Sequence, residues 1–167
     1  MTKEELLQQF QKHPALKTLV DLPPGYRVNF IGMSGSVESL LAAAWFQQTE
    51  KYVLAILPDR ELAAYFLNDL ESLLPENSTI FFPAASKKVY DPDSSDANAK
   101  LLRAEVLNKI NTLQHSKLII VTYPEALLEK VVTHGTLKKN TFKIQRGEKL
   151  SIEFVSDFLY EYDFERV

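Results

Sequence analysis

The stretch of this chain whose residue types and spacing come nearest to a known chemistry is Gly32-Met33-Ser34-Gly35-Ser36-Val37-Glu38-Ser39. A working phosphate loop reads G-x4-G-K-[ST]. Its glycines let backbone N–H groups wrap the phosphates, its lysine reaches the β and γ positions, and its hydroxyl holds magnesium. Here Gly32 and Ser39 occupy the outer positions of that pattern and Gly35 adds a glycine inside it, but Val37 stands at the second glycine position and Glu38 at the lysine position. A charge pair at ~4 Å with an effective dielectric near 20 is worth about 4 kcal/mol, so exchanging attraction for repulsion is a swing of roughly 8 kcal/mol. The β-branch of Val37 adds bulk where a phosphate would approach and restricts torsions that glycine leaves open. The segment reads as a phosphate loop with its chemistry removed. No catalytic residue and no cofactor site is expected at Gly32, Gly35, Val37, Glu38 or Ser39, and an ordinary glycine-rich strand-to-helix turn is the plain structural alternative. Dinucleotide binding is disfavoured as well, because G-M-S-G-S-V lacks the third glycine of G-x-G-x-x-G and Asp59 more simply caps a helix.

Other chemistries are thinner still. The chain contains no cysteine, which removes disulfides, thiol nucleophiles and cysteine-based metal sites. His13, His115 and His134 are far apart and fall in no ligand spacing, so no metal site is expected. Asp91, Asp93, Ser94, Ser95 and Asp96 lack the glycine and terminal glutamate of a calcium loop. A local basic cluster, Lys138, Lys139, Lys143, Arg146 and Lys149, precedes an acidic helix with Glu153, Asp157 and Glu161. Either face is a candidate protein contact, although most such clusters are merely solvated surface.

The elements that must position these residues alternate in type. Thr2 and Glu5 form a capping box for a short helix that is expected to stop before Pro14. Leu22-Pro23-Pro24-Gly25 reads as a turn into Tyr26–Ile31, a β-rich run expected to be the first strand, ending at Gly32. Leu40, Leu41, Ala44 and Trp45 mark a helix. The apolar run Tyr52–Leu57 predicts a strand buried on both faces. Asp59 caps a helix with Leu62, Tyr65, Phe66, Leu70 and Leu73 at helical spacing up to Pro75, and Thr79–Phe82 is a further strand. A polar connection from Pro83 to Asp96 leads to a helix marked by Leu101, Leu102, Val106, Ile110 and Leu113. A fourth strand, Lys117–Val121, is followed by a second capping box at Thr122 and Glu125 with Pro124 in the first turn. Buried strands alternating with helices predict an α/β fold, a RecA-like or Rossmann-like parallel sheet with helices on both faces. From about residue 138 the pattern changes: Thr141–Ile144 alternates, Gln145–Glu148 reads as a turn, and Ser151 caps a helix with Phe154, Phe158 and Leu159. This reads as the start of a small α+β domain. The expected organisation is a helix and linker over 1–24, a degenerate RecA-like domain over 25–133, and an unfinished second domain over 138–167.

With 167 residues, 46% of them hydrophobic, the chain is long enough to bury a substantial core. Nineteen Lys and Arg against 22 Asp and Glu leave a net charge of −3, and the isoelectric point is about 5.7. That balance excludes holding duplex DNA by bulk electrostatics. The N-terminus carries acids at once with no apolar run behind it, and no segment approaches a membrane span, so a cytoplasmic location with no membrane contact is expected.

Taken as a set, the degenerate Gly32–Ser39 loop, Val53–Leu57 with Pro58-Asp59, Phe82-Pro83 through Val89-Tyr90-Asp91, Arg103–Leu107, Leu118–Thr122, and Lys143–Glu148 through Tyr162–Val167 resemble the N-terminal module of bacterial transcription-repair coupling factors. That module is similar in turn to the excision-repair subunit UvrB, whose equivalent loop is an intact ATP site. The resemblance implies that residues to about 130 begin a RecA-like domain and that residues from about 138 begin the inserted domain that recruits UvrA, with most UvrA contacts beyond Val167. It implies a larger parent protein, an ATP-dependent DNA translocase that displaces stalled RNA polymerase, with ATP, magnesium and DNA handled by motor domains elsewhere. The tyrosine-rich hairpin with which UvrB threads damaged DNA has no counterpart in the short Pro83–Asp96 connection, which offers only Tyr90.

The leading expectation is therefore a non-catalytic interaction module. The alternative is a small nucleotide- or phosphate-binding α/β enzyme with an atypical loop, which needs a cation from elsewhere, with Lys87, Lys88 and Arg103 the candidates. A third reading, a duplex DNA-binding domain, rests only on the basic cluster at 138–149.

Overall fold

The computed structural model describes residues 2–85, 97–112, 117–131, 133, 135–136, 144, 146–147 and 149–161. The described chain is α/β. Helices α1 (Lys3–Gln11), α2 (Pro14–Val20) and α3 (Val37–Gln48) lead into strand β1 (Val53–Ile56); α4 (Arg60–Leu73), β2 (Thr79–Phe81), α5 (Ala97–Thr112), β3 (Ile119–Thr122), α6 (Pro124–Leu128) and α7 (Ile152–Glu161) follow. By internal packing the chain divides into two units, Met1–Val131 and Val132–Val167.

The sheet of the first unit is parallel, in the order β1-β3-β2. Val53 lies opposite Ile119 and Ile56 opposite Thr122, while Thr79 and Phe81 flank Ile119 and Val121 from the other side. Parallel strands need crossover connections, and α4 and α5 with its preceding loop supply them. The central strand is the most deeply buried: Ile119, Val121 and Thr122 have no exposed surface. Helix α4 lies against β2 and β3, and α3 lies against α4, α1 and α2. The core they enclose joins Leu7, Leu16, Ala43, Phe46, Ala63, Leu70, Val106 and Ala126 to the strands.

Local chemistry explains the helix ends. Thr2 and Glu5 form the expected capping box: the Glu5 amide donates to Thr2 Oγ1 at 3.2 Å and the Thr2 amide to Glu5 Oε2 at 2.8 Å. Asp59 caps α4 as expected, accepting from the Leu62 amide at 2.8 Å. The ammonium of Lys117 donates to the carbonyls of Phe46, Gln47 and Thr49, closing the C-terminal end of α3.

The structure differs from expectation at four points. Tyr26–Ile31 forms no strand; it is irregular chain, with Tyr26 69% and Ile31 89% exposed. Strand formation requires a hydrogen-bonding neighbour, and β-forming composition alone does not supply one. Second, α1 stops before Pro14 as expected, but Pro14 then opens a helix that the sequence pattern did not announce. It sits in the first turn of α2, and His13 caps that helix by accepting from the Ala15 amide through Nδ1 at 3.2 Å. Third, β1 is not buried on both faces. Val53 and Ala55 pack against the core, while Leu54 and Ile56 are 54% and 53% exposed. Fourth, Thr122 is the last residue of β3 and donates its hydroxyl to the Phe82 carbonyl at 2.9 Å, so the cap position of α6 falls to Tyr123, which makes no side-chain cap.

In the second unit, Ser151 caps α7 as expected, its hydroxyl accepting from the Phe154 amide at 3.4 Å. Arg146 and Gly147 lie in a turn, with Gly147 at φ +98°, a torsion that favours glycine. Among the described residues no helix is long and apolar enough to cross a membrane.

Candidate functional site

The Gly32–Ser39 segment bends through two glycines with positive φ, Gly32 at +80° and Gly35 at +59°. Such torsions cost a side chain free energy and cost glycine almost none, which accounts for both residues in a tight entry to α3. Val37 is the first residue of α3, so the position a phosphate loop gives to its second glycine is here ordinary helix. The N-cap, Ser36, makes no side-chain cap, and Glu38 lies in the first turn, where a carboxylate is favoured by the helix dipole.

The loop forms one wall of a cavity of about 600 Å³. Leu57 and Pro58, just beyond β1, form a second wall, and α4 contributes Leu62, Tyr65, Phe66 and Asp69. This is the strand-end crevice in which open α/β sheets hold their ligands. Its chemistry is nevertheless inverted. Among the described residues, both charged side chains lining it, Glu38 and Asp69, are acidic, and no lysine or arginine lines it. Ser39, which would hold magnesium in a working loop, is 3% exposed and donates its hydroxyl to Asp69 Oδ2 at 2.9 Å. A metal-binding hydroxyl is thus tied to a side chain of the next helix. Glu38 is exposed, so water screens its repulsion of an anion toward the ~1 kcal/mol expected at 4 Å in bulk solvent.

Arg103, weighed as a source of positive charge, is committed elsewhere. It is 6% exposed and donates to the carbonyls of Pro83 at 2.7 Å and Ala126 at 3.0 Å, pairs with Glu129 at 3.3 Å, and stacks 4.2 Å from the centre of the Phe82 ring. Burial pushes its guanidinium below the ordinary arginine value, opposed by the charge of Glu129 and by Tyr123. Its work is to tie the end of β2 to α6. Lys87 and Lys88 lie outside the described residues.

The sequence reading identified the loop but missed its partners on α4. Leu62 and Tyr65, expected on the buried face of that helix, are 47% and 64% exposed and line the cavity. Asp69 belongs to the same face, one helical turn beyond Tyr65 and Phe66, and that spacing was the available signal. Of the basic cluster, Arg146 and Lys149 are exposed, whereas Lys138, Lys139 and Lys143 lie outside the described residues, as do His115, His134 and the acidic stretch Asp91–Asp96. Among the described residues no three His, Asp or Glu side chains gather as a metal-binding group would.

Comparison with known proteins bears on this arrangement. The chain is 28% identical over 123 residues to the transcription-repair-coupling factor of Rickettsia bellii, covering 74% of this chain and 11% of that protein. It is 27% identical over 136 residues to the transcription-repair-coupling factor of Bacillus subtilis, covering 81% of this chain and 11% of that one. It is 24% identical over 165 residues to UvrABC system protein B of Thermosipho africanus, covering 91% of this chain and 25% of the relative. The expected resemblance holds. This chain is similar over most of its length to coupling factors and to the UvrABC B protein, and it spans only about a tenth to a quarter of the length of these curated relatives. No family model matches the chain, and no solved structure matches it.

Proposed function

We propose that this chain is a non-catalytic module of a transcription-repair coupling factor, a degenerate RecA-like half-domain joined to the start of a domain that recruits UvrA to lesions where RNA polymerase has stalled. The observation that carries this reading is the acidic loop: in a chain related to coupling factors and to a UvrABC protein, Glu38 stands where a nucleotide-binding loop needs lysine, and Ser39 is bonded to Asp69. On this reading ATP, magnesium, DNA and polymerase are engaged by other parts of a larger ATP-dependent DNA translocase. UvrA contacts fall mostly beyond residue 167, with Lys138, Lys139, Lys143, Arg146 and Lys149 the nearest candidates in this chain.

Two measurements test the reading. Calorimetric titration with magnesium–ATP is expected to give no saturable heat, and micromolar affinity would overturn the loss of nucleotide binding. A pull-down with UvrA is expected to retain a chain extended through the complete inserted domain and to release this chain alone. Failure of the longer chain would remove UvrA as the partner.

A further inference from the structure

With phosphate disfavoured, the cavity beside the Gly32–Ser39 loop keeps a definite chemical character. Its volume of about 600 Å³ lies within the range of ligand-binding sites. Most of its wall is apolar, and Tyr65, a large ring, stands 64% exposed at that wall. Asp69 is half-buried and steadied by the Ser39 hydroxyl at 2.9 Å. Glu38 has no hydrogen bond or ion pair among the described residues. The cavity therefore joins an apolar wall and an aromatic face to two carboxylates that have no counter-charge among the described residues.

We propose that this cavity is a socket for an arginine side chain presented by a protein partner. The guanidinium faces the carboxylates of Glu38 and Asp69 and lies against the Tyr65 ring, while its methylene stem covers Leu62 and Pro58. Each group fits that ligand better than its competitors. An anionic ligand meets two like charges, and a neutral apolar one leaves the half-buried Asp69 without a counter-charge. Lysine offers a compact, strongly hydrated charge, whereas the guanidinium is planar, weakly hydrated, able to bond a carboxylate through two N–H groups and able to stack on an aromatic ring. The site goes beyond UvrA recruitment and does not depend on it, since every residue in it lies on the first unit.

The test is a two-dimensional NMR titration of the ¹⁵N-labelled full chain at low salt with a capped Gly-Ser-Arg-Ser-Gly peptide and with its citrulline counterpart, which keeps the shape and loses the charge. The arginine peptide is expected to shift the amides of Gly35, Glu38, Ser39, Tyr65 and Asp69 saturably, with the citrulline peptide at least about fivefold weaker. Glu38→Gln and Tyr65→Ala alter exposed side chains outside the core, and each is expected to weaken binding about three- to tenfold. Absence of shifts at about 10 mM arginine peptide, equal response to citrulline, or undiminished binding by Glu38→Gln would each overturn the socket. A parallel titration with magnesium–ATP separates the two proposals: saturable shifts of the same amides by ATP would overturn the socket together with the loss of nucleotide binding. Failure to capture UvrA would leave the socket standing.

Discussion

Arg103 gathers contacts from several segments of the chain into one buried position. Its guanidinium bridges the carbonyl ends of β2 and α6, pairs with Glu129 and stacks on Phe82, all in a setting that is 6% exposed. Removing the guanidinium leaves the buried Pro83 and Ala126 carbonyls without their donor and takes the counter-charge from Glu129, which keeps its bond from the Ala85 amide. Arg103→Met is expected to destabilise the chain by about 3 kcal/mol, read from urea denaturation, with Arg103→Lys intermediate because lysine restores the charge and not the fork. Asp59 acts more locally. Asp59→Ala removes the bond to the Leu62 amide and is expected to cost about 1 kcal/mol by the same measurement. The Asp59 cap was legible in the sequence, since it needs only an acidic residue beside an apolar period. Arg103 was not, because its partners come from residues 20 to 26 positions away and nothing local announces them.

At the scale of elements, helices were easier to foresee than strands for a physical reason. A helix satisfies its backbone within one segment, so the Thr2 capping box and the period of α4 suffice to place it. A strand is a property of a pair. Tyr26–Ile31 has strand composition and no strand, while Val53–Ile56 is a strand because β3 lies beside it. The same limit hid the cavity: Leu62 and Tyr65 carry the apolar period of a buried helix face, and only the packing shows that they open onto the Gly32–Ser39 loop. The two faces of the sheet give a contrast that mutagenesis can read. Ile119→Ala, at a fully buried residue of the central strand, is expected to cost about 2–5 kcal/mol, typical of a deleted buried side chain. Leu54→Ala, at a residue 54% exposed on the edge strand, is expected to cost less than about 1 kcal/mol in the same thermal or urea series.

For the molecule as a whole, the division after Val131 carries its own prediction. A chain ending at residue 131 retains the three described strands and the core that joins α1 through α6. Its thermal midpoint by circular dichroism is expected within about 4 °C of the full chain, the shift that ~1 kcal/mol produces at this size. A larger fall would show that residues after 131 support the first unit. The strand order β1-β3-β2 also governs the timetable of assembly. Among the described strands, the two outer ones are made first and have no bond to each other; both pair with β3, the last of the three to leave the ribosome. Until about residue 122 has emerged, the growing chain holds helices and two apolar segments with nothing to pair against, and the sheet then closes in one late step. A nascent chain halted before β3 is, on that account, a client for chaperones, whereas one halted just after it already has its sheet.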